Sequence, residues 1–199
     1  MKKLISILLC LSMFAIILVP SLAISEEERL ENNLKADEYN TRLVIYFTEK
    51  GAYPDNYGGA HLNQETGNLV INLTERSEAI EAEYYEICQA EKLEFRTVKY
   101  SLNQLFAATN EVKRRTDELE KTGKYTDGPI VTASAVRQSE NIVWLFANYA
   151  YYGRITEEAL CPDTPDAIVL KFSIDEKAIT QAVKSGADMI KSTAETLKK

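Results

Sequence analysis

His61 is the only histidine in this 199-residue chain. Any Ser-His-Asp or Cys-His arrangement would have to use it. Yet it falls in an alternating segment, Ala60-His61-Leu62-Asn63, and no Gly-x-Ser-x-Gly elbow accompanies it. It reads as a structural or surface histidine. In the acidic stretch after Thr74, Ile80, Tyr84, Ile87 and Cys88 share one helical stripe, and Glu78, Glu81, Glu83 and Glu86 lie mostly off it. That spacing is a solvated helix face rather than a carboxylate pair for acid and base work. Asp163 and Asp166 are too isolated for calcium, and no P-loop, dinucleotide fingerprint or EF-hand loop is present. The sequence therefore assigns no catalytic, cofactor-binding or metal-ligating residue, and the expectation is a protein that is not an enzyme.

Two further groups carry possible chemistry. Cys88 and Cys161 both lie beyond the N-terminal segment described below, and in an exported protein such a pair is a candidate disulfide. The alternative is two buried free thiols on helices. No Cys-x-x-Cys exists to suggest a redox motif or a zinc site. The second group is aromatic. Trp144 and Phe146 read as core, whereas Tyr149, Tyr151 and Tyr152 come at a strand end and form the candidate partner surface.

Residues 1–23 read as a secretory signal: Lys2 and Lys3, an apolar run from Leu4 to Val19, then Pro20-Ser21-Leu22-Ala23 as a cleavage site. The expected location is extracellular, or the cell-envelope space of a Gram-positive-type bacterium. The chain holds 23 basic and 30 acidic residues, and removal of Lys2 and Lys3 leaves 21 against 30, a net charge of −9. Nucleic acid and anionic membrane surfaces need a basic face, so neither is an expected partner.

Residues 24–52 form an N-terminal helical segment in which Arg42–Phe47 reads as a strand or as the buried end of the helix. Residues 53–175 form an α+β domain of two similar halves, 53–100 and 130–175, joined by a helix over 102–121. Each half reads β-β-α-β, with a mostly antiparallel sheet and helices packed on one face. Ser101-Leu102-Asn103-Gln104 is a capping box that opens the joining helix. Ile142–Phe146 is almost continuously apolar and reads as a strand covered on both faces. Residues 176–199 have a helical period and form an expected C-terminal helix. At an offset of 73 residues, Asn68-Leu69-Val70 matches Asn141-Ile142-Val143 and Cys88 matches Cys161. Helices on one face of a shared sheet would bring the two thiols within reach, which favours the disulfide.

Tyr53-Pro54-Asp55-Asn56-Tyr57-Gly58-Gly59-Ala60, followed by Gly67-Asn68-Leu69-Val70-Ile71-Asn72-Leu73-Thr74-Glu75, resembles the pro-regions of secreted bacterial chymotrypsin-like serine proteases, the α-lytic protease and streptogrisin group. Those pro-regions continue with a helix and a Val-x-Tyr-Ser-x-x-x-Leu element, found here as Val98-Lys99-Tyr100-Ser101-Leu102-Asn103-Gln104-Leu105. Their second unit carries an Asn-x-Val-x-Val strand, similar to Asn141-Ile142-Val143-Trp144-Leu145. The resemblance spans residues 53–173. It implies a secreted protein that binds or inhibits an extracellular protease in trans, standing alone without a protease domain. The other reading is an extracellular binding module for a small ligand or an envelope component.

Overall fold

A computed structural model describes residues 24–173. The expected signal segment and C-terminal helix lie outside the described residues. The chain opens with α1, Glu26–Lys50. The Ser25 side chain accepts from the Glu28 N–H, Glu26, Glu27 and Glu28 complement the positive end of the helix dipole, and Gly51 closes the helix in the left-handed conformation. Ala36, Tyr39, Leu43 and Phe47 recur on its buried side, so Arg42–Phe47 is the end of the helix and not a strand.

The first half continues with β1 (Tyr57–Leu62), β2 (Leu69–Leu73), α2 (Glu78–Cys88) and β3 (Glu94–Thr97). After α3 (Leu102–Lys121), the second half repeats the order with β4 (Val131–Arg137), β5 (Ile142–Asn148), α4 (Glu157–Leu160) and β6 (Ile168–Ser173). The predicted capping box at the start of α3 is present, with Ser101 and Gln104 each bonding the other's backbone N–H. The fold is α+β, built of two three-stranded mixed sheets, β1-β2-β3 and β4-β5-β6.

In each sheet the hairpin is antiparallel and the third strand lies parallel to the second. The mostly antiparallel sheet is thus corrected to an evenly mixed one. A helical crossover returns the chain to the end of the sheet where the preceding strand began, so the next strand runs parallel to it.

Two sheets make two cores. The first gathers Leu43, Phe47, Ile71, Leu73, Tyr84 and Cys88. The second gathers Leu105, Val112, Val143, Leu145, Leu160 and Cys161. Cys88 and Cys161 are both free and buried, each in its own core, so the expected disulfide is not formed. The inference of a bond needed one shared sheet. Burial pushes the Cys88 thiol up to about 11, against a smaller downward pull from Arg42, which keeps it protonated and unreactive at neutral pH.

The halves meet through the β4–β5 turn, which lies on the face of the first sheet turned away from α1 and α2. Asn72, fully buried, donates to the Gln138 carbonyl at 2.7 Å, and Gln138 Oε1 accepts from the Ala60 N–H at 2.6 Å. Gly59 has φ +105°, and a Cβ there would sit 2.5 Å from Gln138 Oε1. Gly59 is therefore the seat of a side chain from the other half. Buried Asn141, at φ 55°, clamps the Tyr100 backbone: its Oδ1 accepts from the Tyr100 N–H at 2.8 Å and its Nδ2 donates to the Tyr100 carbonyl at 2.7 Å. Lys99 and the Tyr100 hydroxyl both bond Asp166 nearby.

Replacing Asn141 with Ala removes both buried hydrogen bonds and leaves a β-carbon residue in the left-handed region. We expect a loss of about 2–4 kcal/mol in urea unfolding. Asn141→Gly relieves the backbone and should lose less. Equal losses for the two variants would contradict the backbone part of this account.

The first hairpin is pinned at its loop. Glu94 accepts from Asn63 Nδ2 at 2.7 Å, Thr66 Oγ1 at 2.6 Å and Asn68 Nδ2 at 2.8 Å. Partial burial pushes the Glu94 carboxyl up, but the bonds from Thr66, Asn68 and Asn63 outweigh it and hold it below the usual 4.5. A depressed folded value stabilises the protein above the unfolded value, and the contribution is lost as pH falls through the folded value. Wild type should exceed Glu94→Gln by about 1–2 kcal/mol at pH 7. In thermal unfolding that gap should close on the acid side of 4.5. A gap independent of pH would refute the role of the carboxylate.

Candidate functional site

The second sheet differs from the first in what covers it. Along β5, Val143, Leu145 and Ala147 are fully buried against the helices, while Ile142, Trp144, Phe146 and Asn148 are half-buried on the other side. The strand was expected to be covered on both faces. Among the described residues it alternates, and the face carrying Trp144 and Phe146 stays partly open. Register places Ala133, Ala135 and Arg137 of β4 and Val169 and Lys171 of β6 beside them. The Arg137 guanidinium lies 4.4 Å and the Lys171 ammonium 4.7 Å from the Trp144 ring centre. Trp144 Nε1 donates to Glu140 at 3.1 Å, and Phe146 meets Trp144 edge-on at 6.4 Å. The result is a flat aromatic face with two cations at its centre.

At the end of β5, Tyr149–Tyr151 form a 3₁₀ turn capped by the Asn148 side chain, which accepts from the Ala150 N–H at 3.0 Å. Positions three apart eclipse in such a turn. Tyr149 and Tyr152 consequently stack outside at 5.6 Å, 49% and 64% exposed, with Tyr152 edge-on to Phe172 at 5.0 Å. Tyr151 points the other way and is fully buried. Its hydroxyl donates to the Gly128 carbonyl at 2.8 Å and accepts from the Asp127 N–H at 2.9 Å. Of the three tyrosines proposed as a partner surface, the structure keeps Tyr149 and Tyr152 together outside and removes Tyr151 to the core.

Sequence reasoning did not find the cleft between α3 and β4. It has a volume of about 380 Å³ and is lined by Val112, Thr116 and Glu120 on the helix and by Val131, Thr132 and Ser134 on the strand. β4 is an edge strand, so alternate backbone groups along it have no neighbouring strand. Thr116 Oγ1 is buried in this wall without a hydrogen-bond partner. A helix flanking an exposed strand edge is the geometry that accepts an extended peptide. The signal available in the sequence was a threonine at a buried position of α3.

His61 lies instead at the junction. Burial lowers its basicity first, Arg96 adds to this, and Glu94 opposes it, so the ring is neutral at pH 7. Its Nδ1 is 3.4 Å from Asn72 Nδ2, which fits the structural role expected for it. Among the described residues no group of three His, Cys, Asp or Glu could hold a metal ion, and no helix is long and apolar enough to cross a membrane.

Residues 23–98 match the family described as "Pro-like N-terminal domain". The first half is pro-region-like. The match begins upstream of the resemblance read from the sequence, taking in α1, and stops before α3, so the second half lies outside it. No curated protein matches the chain.

The stacked tyrosines give a test of this geometry. Tyr149→Ala and Tyr152→Ala should change unfolding free energy by no more than about 1 kcal/mol. Tyr151→Ala should cost about 3–5 kcal/mol through the cavity it leaves. Urea titrations giving the reverse order would mean that Tyr151 is not the buried ring.

Proposed function

We propose that this chain is a secreted, non-catalytic binding protein resembling a protease pro-region, which engages an extracellular chymotrypsin-like protease in trans. The observation that carries the reading is the pro-like match over residues 23–98. It lies on a half whose central strand is buried on both faces, with β2 covered along its whole length. Surface for a partner is therefore concentrated in the second half, on the Trp144 face, the stacked Tyr149 and Tyr152, and the β4 edge. Exposed aromatic rings with a central arginine suit a protein partner.

A second reading rests on the α3–β4 cleft, whose volume falls in the range of small-ligand sites. In it the chain is an extracellular module for a small ligand or an envelope component, with no protease involved.

Residues 24–199 should inhibit chymotrypsin-like bacterial proteases saturably and remain intact, while leaving a subtilisin untouched. Trp144→Ala should weaken that inhibition about tenfold or more, as expected for a buried aromatic anchor. Absence of inhibition at tens of micromolar would sink the protease reading and leave the ligand module in its place.

A further inference from the structure

Among the described residues, Thr41, Thr48 and Thr109 each turn the side-chain hydroxyl onto the helix carbonyl four residues back, at 2.8, 2.7 and 3.0 Å. Thr116, on α3, makes no such bond. It is only 7% exposed, and its Oγ1 is buried without a hydrogen-bond partner. A buried hydroxyl left unpaired is costly. This one borders the α3–β4 cleft, where a ligand can supply the missing acceptor.

The charges on α3 repeat the pattern. Glu111 pairs with Arg114 and Arg115, and Arg114 also pairs with Glu118. Lys113 and Asp117 stand one turn apart on the cleft wall, and among the described residues neither forms an ion pair. A lysine four residues before an acid is the weaker order for closing such a pair on a helix. The two therefore offer a cation and an anion separated by about 6 Å along the helix axis. The facing strand offers little side chain and much backbone. Ala133 and Ser134 are small and exposed, and Thr132 turns its hydroxyl to the Phe146 carbonyl at 2.9 Å. On this edge β4 has no neighbouring strand.

We propose that the cleft binds a short extended peptide of about two residues with both termini free, its carboxylate facing Lys113 and its ammonium facing Asp117. The proposal narrows the small-ligand reading given above and rests on it. An extended chain rises about 3.3 Å per residue, so two residues span the same interval as the two charges. Peptide groups suit the unpaired N–H and C=O groups of β4, and a peptide carbonyl accepts from Thr116. A small apolar side chain fits between Val112 and Val131. Direction follows as well. The Ile130 N–H donates to Glu120 at 2.8 Å and Asn141 holds Tyr100, so α3 and β4 run in opposite directions. Asp117 thus adjoins the start of β4 and Lys113 lies further along it, and the bound peptide runs parallel to β4.

Titration of the dipeptide alanyl-valine into the purified protein, followed by amide NMR, should shift Lys113–Glu120 and Val131–Ser134 saturably at millimolar concentration or below. Acetylating its amine or amidating its carboxylate should each weaken binding about threefold or more. In Lys113→Met the free acid and the amide should bind alike. Thr116→Val should lower affinity about fivefold without lowering stability in urea, because it removes an unpaired buried hydroxyl. A threonine with a merely structural role would leave affinity unchanged. N-acetylglucosamine serves as the uncharged comparison. Cleft shifts with the sugar and none with the peptide would overturn the proposal and leave the ligand module standing. Shifts with neither would remove the cleft as a ligand site and both readings with it. Peptide binding indifferent to capping of its termini, or to Thr116→Val, would also overturn the proposal.

Discussion

Everything in this structure depends on closing the second face of the first sheet. Three short strands with helices on one side leave Val70 and Asn72 facing outward, yet both are buried. They are buried because the turn of the second hairpin seats itself there, with Gln138 over Gly59 and Asn141 holding the Tyr100 backbone. The seal is polar, held by the buried hydrogen bonds of Asn72, Gln138 and Asn141, although Asn72 Oδ1 is buried there without a partner among the described residues. A side chain at Gly59, or a shorter side chain at Gln138, would leave the half-buried Ala60 N–H without its partner.

Much of this architecture was legible beforehand, because local chemistry wrote it. Ser101 and Gln104 specified a helix start, and apolar periodicity separated strands from helices everywhere but at Arg42–Phe47. What failed was relational. The sequence aligns the halves at an offset of 73, but the hairpins repeat one residue later, with Tyr57↔Leu73 reappearing as Val131↔Ala147 and Ala60↔Ile71 as Ser134↔Leu145. Because strand side chains alternate, one residue of slip exchanges the two faces. Trp144 is thereby the counterpart of Val70 and not of Ile71, which is why it lies on the face away from the helices. Tyr151 was misplaced for a related reason, since a 3₁₀ turn replaces the two-residue period just where the strand ends.

The repeat is therefore alike in topology and unlike in finish. In the first half the face bearing Val70 is closed by the second hairpin. In the second half the equivalent face carries Trp144 between Arg137 and Lys171, with nothing over it among the described residues. One unit lends the other its cover and keeps its own face for use. The pro-like match falls on the covered unit, and the aromatic and cleft features fall on the other.

Among the described residues, Val136 is the one side chain packed against the edges of both hydrophobic clusters. Besides it, the halves meet through a seam of amides and one carboxylate, while α3 runs through both cores, with Leu102 in the first and Leu105 in the second. Cooperativity in folding follows continuous packing, so α3 is the element that couples the two units. Strain imposed on the second sheet would reach the first core along that helix rather than across the polar seam.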